Sequence, residues 1–182
     1  YNLNDENSDL DYKIFTLPTF EDLYSSKQYS KAEVGISADY DVHDVRKLVD
    51  LLWKSNINFT EVLFSSNVMM DIINLRKETH FLLKELFDLR DDIAVMNLPY
   101  LYNACVGMHY SKMKLLYKGT AGTQHLVDKH GWDTKQGMHA YRSLDFLERF
   151  AGNNFTSFKD AIYYDNDEQF TLLRIKYGEI PL

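Results

Sequence analysis

Cysteine is almost missing from this chain of 182 residues, where Cys105 stands alone. A single cysteine excludes an internal disulfide framework and any cysteine-based zinc site. Proline is scarce too, at three residues, so no proline-rich linker divides the chain. Long apolar runs are lacking; those present are short, interrupted by charges and unable to span a bilayer. No charged-then-apolar leader opens the sequence. Together these absences give the expectation of a soluble, cytoplasmic protein with no membrane partner. Positive charge is also in deficit, with 20 Lys and Arg against 27 Asp and Glu and a formal net charge of −7. Wrapping duplex DNA needs a broad basic surface, so duplex DNA is not an expected partner. A local basic pocket for a nucleotide or an RNA end is still compatible with that balance.

What is abundant is core material: 45% of the residues are apolar and 14% aromatic. A chain of this length makes one domain, or one domain with a helical extension, and buries roughly 70% of its unfolded surface. Hydrophobic spacing divides it near residue 65. Residues 9–18 and 32–42 read as strands, the second with Val34, Ile36, Ala38 and Tyr40 on one face and Glu33, Gly35, Ser37, Asp39 and Asp41 on the other. A short helix capped by Thr19 lies between them. A helix over 44–55 carries an apolar stripe of Val45, Leu48, Val49, Leu51 and Leu52, and 60–64 reads as a strand or short helix. Beyond it, 69–75, 78–89, 99–116, 136–149 and 167–177 all show helical spacing. Residues 118–123 and 151–154 read as loops. The expected class is α+β: a small mixed sheet in residues 1–65, then a mostly helical region over 66–182 packed on it.

Three Asp-x-Asp pairs occur, Asp9/Asp11, Asp39/Asp41 and Asp165/Asp167, where eighteen aspartates predict about two by chance. The last lies in polar surroundings and reads as a turn or helix cap. The other two lie on expected strands. Side chains two apart on a strand share a face, and neighbouring strands are about 4.8 Å apart. Crowded carboxylates repel unless a cation lies between them, so this pattern suits a Mg²⁺ site. His43, beside it, is not a ligand on this reading, because Mg²⁺ prefers oxygen. Lys135, His139 and Arg142 follow helical spacing and share one face. That face is either a solvated basic stripe or a surface for phosphate, on which Arg142 could bind in bidentate fashion. Asp133 reads mainly as an N-cap and Glu61 as a surface or supporting carboxylate. Cys105, the six methionines, Tyr100, Tyr102, Tyr163 and Tyr164 read as core.

Several segments match a known pattern in order. They are the opening Tyr1-x-Leu3 run through Ser8-Asp9-x-Asp11, then Asp39-Tyr40-Asp41 leading into Arg46-Lys47-Leu48, and Lys54 to Phe64. Gly131-Trp132-Asp133-Thr134-Lys135 through Met138-His139 and Leu172 to Glu179 complete the set. Together they resemble segments of polymerase-β-type nucleotidyltransferases, most closely a bacterial and phage branch. The Gly-Ser pair that precedes the tyrosine there is not in this chain, which leaves truncation and loss as alternatives. The resemblance implies transfer of a nucleoside monophosphate from an NTP to an acceptor hydroxyl, on an RNA 3′ end, a protein or a small molecule. Asp9 and Asp11 would hold Mg²⁺, with two ions expected and Mn²⁺ as a substitute. Asp39 would be the third carboxylate, with Asp41 as its alternate. Ser8, Lys135, His139 and Arg142 would contact substrate. The rival expectation is a non-catalytic nucleotide- or RNA-binding module, or a protein-interaction module of the toxin–antitoxin or phage-inhibitor type, on the same fold.

Overall fold

Thr19 starts the first helix as the sequence implies. Its hydroxyl accepts from Asp22 N at 3.1 Å and the Asp22 carboxylate accepts from Thr19 N at 2.9 Å, a reciprocal capping box. The computed structural model describes residue 3 and residues 10–35, 38–70 and 76–180. They fall in two compact units, Asn4–Asn97 and Leu98–Leu182 with Tyr1–Leu3. Among the described residues no helix is long and apolar enough to cross a membrane.

The first unit holds strands β1 (Leu10–Thr16), β2 (Ser30–Val34) and β3 (Ala38–Asp44) and helices α1 (Phe20–Tyr24), α2 (Arg46–Trp53) and α3 (Ile57–Thr60). A 3-10 turn (Glu61–Phe64) follows, then α4 (Lys77–Asp88) and α5 (Arg90–Val95). The sheet order is β1-β3-β2, with β1 parallel and β2 antiparallel to β3. It is therefore a small mixed sheet in an α+β protein, as expected. The single strand expected over 32–42 is instead β2 and β3, an antiparallel pair closed where Gly35 N donates to Ala38 O at 3.1 Å. This turn changes the faces. Val34 is opposite Asp39, and Glu33 is opposite Tyr40, the reverse of an uninterrupted alternation.

Leu48 and Leu52 of α2, Phe59 of α3 and Leu63 form the core of this unit, with Phe15, Leu86, Phe87 and Ile93 packed against them. Val49, expected in the α2 stripe, is instead 71% exposed. Because α4 and α5 complete this core, the boundary between units falls at residues 97/98 rather than 65/66. The β3–α2 corner is fixed by buried Asp44, whose Oδ1 accepts from Arg46 N and Nε, both at 2.9 Å, and whose Oδ2 accepts from Nη2 at 2.5 Å. That guanidinium holds the Asp44 carboxyl down at about 2.

The second unit consists of α6 (Leu98–Leu115), α7 (Gln124–His130), α8 (Thr134–Gly152), α9 (Phe158–Ile162) and α10 (Glu168–Lys176). α8 is its central element: α6 and α10 both pack along it. Phe146 and Phe150 of α8 meet Phe158 at ring separations of 5.1 and 5.5 Å, and all three are buried. Cys105 is fully buried in α6, and burial pushes its thiol up to about 12, in keeping with a core role. Several other expected core residues are not in the core. Met69, Met70, Met96, Met113, Tyr100, Tyr102 and Tyr163 are exposed, while Met138 and Tyr164 are buried. Methionine and tyrosine tolerate both environments, so spacing alone does not fix their burial.

Candidate functional site

In the first unit, register gathers the carboxylates. Asp11 of β1 is directly opposite Asp39 of β3, in parallel pairing. Opposed residues of adjacent strands point to the same face, so two acidic side chains share one position across the sheet. One step along, Lys13 is opposite Asp41, and its Nζ meets Asp41 Oδ2 at 3.2 Å. His43 Nε2 lies 2.8 Å from Asp41 Oδ1, and His43 Nδ1 lies 3.1 Å from Ser30 Oγ. Burial pushes the Asp41 carboxyl up, but His43 and Lys13 together outweigh it and hold the group below its ordinary value. Phe59 covers this end of the face, with its ring 5.1 Å from His43 and 5.0 Å from Lys13 Nζ.

The surroundings of the two strand carboxylates differ. Asp41 is engaged by Lys13 on one oxygen and by His43 on the other, whereas Asp39 Oδ1 accepts a backbone bond from Gly35 N at 3.2 Å among its described hydrogen bonds. Asp39 and Asp11 are all-oxygen donors side by side, and they suit Mg²⁺. Ser8 and Asp9 lie outside the described residues. Among the described residues, no three His, Cys, Asp or Glu side chains come together as a metal-holding group. Glu61 carries one carboxylate oxygen, Oε2, that is buried without a hydrogen-bond partner among the described residues.

In the second unit, the first turn of α8 is fastened on three sides. Gly131 ends α7 in the left-handed region, at φ 81°. Trp132 then folds over Gly137, where a Cβ would collide with its indole ring. Asp133, fully buried, caps α8 by accepting from Gln136 N at 3.0 Å, and it also takes the Thr123 hydroxyl. Its own N–H donates to Leu116 O at 2.7 Å, tying down the end of α6. Thr134 Oγ1 donates to Lys176 O at 2.7 Å, tying down the end of α10. Asp133 is thus an N-cap, as expected, and a buried anchor as well. Asp165, in the turn before α10, accepts from Asp167 N and Glu168 N at 3.0 and 2.9 Å.

Those ties bring cations together. Lys135, His139 and Arg142 follow one another along the same face of α8, as expected. Lys112 from α6 and Lys176 from α10 act on the same histidine. Burial first, then Arg142, Lys112, Lys135 and Lys176, depress the His139 imidazole to about 3, so it is neutral at physiological pH. Lys112 is held below the ordinary lysine range by burial and by Arg142 and Lys135, against the pull of Asp133. Lys112 and Lys176 were not among the expected site residues. Lys176 lies in the closing segment already singled out, and its basic character was a usable signal. Lys112 gave none, because only the packing of α6 on α8 brings it there.

The charge of the chain is segregated accordingly. Residues 4–97 carry ten Lys and Arg against eighteen Asp and Glu, a net of −8. The other unit carries ten against nine, a net of +1. Elsewhere in the second unit, Arg149 is committed to structure. It donates to the carbonyls of Asp160, Ala161 and Tyr163, and it meets Glu168 Oε1 at 2.7 Å. It lines a shallow cavity of about 240 Å³ with Tyr141, Asp145 and Tyr164. Comparison of the chain with protein-family models, with curated proteins and with solved structures finds no match in any of the three.

Proposed function

We propose that the protein is a Mg²⁺-dependent nucleotidyltransferase that moves a nucleoside monophosphate from an NTP to an acceptor hydroxyl. The observation that carries this reading is the in-register pairing of Asp11 with Asp39 on adjacent parallel strands. Asp11 and Asp39, with Asp9, would hold the metal, which supplies charge stabilisation at the phosphoryl oxygens. In the transfer, the acceptor oxygen bonds to the α-phosphorus, the bond from that phosphorus to the bridging oxygen breaks, and pyrophosphate departs. The acceptor proton passes to a carboxylate of the cluster. Lys13 and His43 hold Asp41 in place beside the pair. That arrangement keeps a third carboxylate near the site without adding a third uncompensated charge. Lys135, Arg142 and neutral His139 offer phosphate contacts, two by charge and one by hydrogen bonding.

The test is incubation of the protein with Mg²⁺ and each labelled NTP, in the presence of an RNA pool and a protein pool. Label transfer is expected, reduced at least about 100-fold in Asp11→Asn and in Asp39→Asn, since each removes a metal carboxylate. Asp41→Asn is expected to cost less. NTP binding without transfer under all conditions would replace this reading by the non-catalytic binding module.

A further inference from the structure

We propose that the outer edge of β2 pairs with the same edge of a second copy of this chain, antiparallel and centred on Ala32, joining two sheets into one. The contact is carried by Ser30–Val34, all of them exposed, Val34 to 87%. The ladder to β3 fixes which of these residues look outward. Tyr29 O accepts from Asp44 N at 2.9 Å and Gly35 N donates to Ala38 O at 3.1 Å, in the register of the strand pairs between them. Hydrogen-bonded pairs alternate along an antiparallel ladder, so Lys31 and Glu33 also turn their backbone groups toward β3. Ser30, Ala32 and Val34 turn theirs to the outer edge. Among the described residues, nothing outside the sheet bonds to those groups.

An unpaired edge invites another strand, and proteins commonly block it with a proline, a bulge or a charge. β2 holds no proline, and its register on β3 runs without a break. Its two charges select a partner instead of refusing one. With Ala32 at the centre, Ala32 meets Ala32, Ser30 meets Val34, and Lys31 of each copy meets Glu33 of the other. The outward backbone groups then bond only to one another, and both cross-strand charge pairs attract. Centring on Lys31 would oppose two lysines, and centring on Glu33 two glutamates, so charge chooses the register. Lys31 and Glu33 already pair within the strand, and a second copy closes that pair into a ring of four alternating charges. This self-complementarity points to a second copy and not to a foreign strand. A two-fold axis perpendicular to the sheet leaves each face on its own side. Both copies therefore present Asp11 and Asp39 on one face of the joined sheet. The contact itself needs neither metal nor nucleotide.

Sedimentation equilibrium of the full chain, in EDTA and without nucleotide, tests this at concentrations up to about 200 μM, a range suited to a small polar contact. A monomer–dimer equilibrium is expected. Ala32→Pro removes an outward N–H and no bond to β3, so it should abolish the dimer over that range. Lys31→Glu and Glu33→Lys each turn both attractive pairs into repulsive ones and should weaken the dimer about tenfold. An equimolar mixture of these two variants restores both pairs in the mixed dimer and should associate as tightly as the wild type. Both variants remain net negative, so bulk charge cannot drive them together. Circular dichroism establishes that each variant is folded, and if Ala32→Pro is not, the charge variants and their mixture decide. A chain that stays monomeric throughout overturns the proposal. A dimer undiminished in folded Ala32→Pro places the contact on another surface and overturns it too. So does a mixture of the charge variants that associates no better than either alone.

Discussion

Lowering the pH from 7 to 5 should remove a contribution to stability that His139 makes. In the folded chain its imidazole is depressed to about 3 by burial and by Arg142, Lys112, Lys135 and Lys176. In the unfolded chain it titrates near the ordinary value of about 6.5. A base whose folded value is depressed contributes its full stability above the unfolded value. That contribution is lost as the pH falls from about 6.5 toward 3, because the unfolded state takes up a proton that the folded state refuses. The slope is about 1.4 kcal/mol per pH unit, so the descent from pH 7 to 5 removes about 2 kcal/mol. With a urea dependence of about 2 kcal/mol per molar, the midpoint shifts by about 1 M. Other histidines and carboxylates add their own pH dependence, so the measurement is the difference between wild type and His139→Gln, each unfolded in urea at pH 7 and pH 5. The variant should lose about 2 kcal/mol less over that interval. Parallel curves for the two proteins, or a His139 ring that titrates near 6.5 by NMR, would refute the reasoning.

Two further perturbations test the packing that supports these sites. Leu63→Ala should destabilise the first unit by about 2–5 kcal/mol, because Leu63 is 1% exposed and centres the core under β1 and α2. The check is urea unfolding, with an unchanged denaturant slope expected. Gly137→Ala should cost about 1–3 kcal/mol, because the new methyl meets the edge of the Trp132 ring and must displace it. A changed Trp132 emission spectrum should accompany the loss, and a variant with wild-type stability and emission would contradict the close approach.

The long amphipathic helices were legible in the sequence, and so was the location of the sheet. Residues 78–89, 99–116, 136–149 and 167–177 correspond closely to α4, α6, α8 and α10, where apolar spacing persists for more than two turns. Three short helices, α5, α7 and α9, escaped because five to seven residues hold too little periodicity. α9 did carry a cap signature: Ser157 Oγ accepts from Asp160 N at 3.2 Å, the spacing of a serine followed three residues later by an acid. The β2–β3 hairpin was missed for a different reason. Alternation ran through Gly35 almost without interruption, and only the glycine marked the reversal. Missing it put Val34 on the wrong face relative to Asp39.

The candidate sites divide along the same physical line. What lies on one element was readable, because strand and helix periods fix which side chains share a face: Asp39 with Asp41, and Lys135 with His139 and Arg142. What depends on a second element was not. The resemblance favours Asp39 over Asp41 as the third carboxylate, but it does not show that Lys13 is brought opposite Asp41 by the parallel register of β1 on β3. Lys112 enters the cationic cluster only through the packing of α6 on α8. The unequal charge of the two units was present in the sequence throughout, hidden by the total of −7. Only the division at residues 97/98 separates an acidic sheet unit from a nearly neutral helical one.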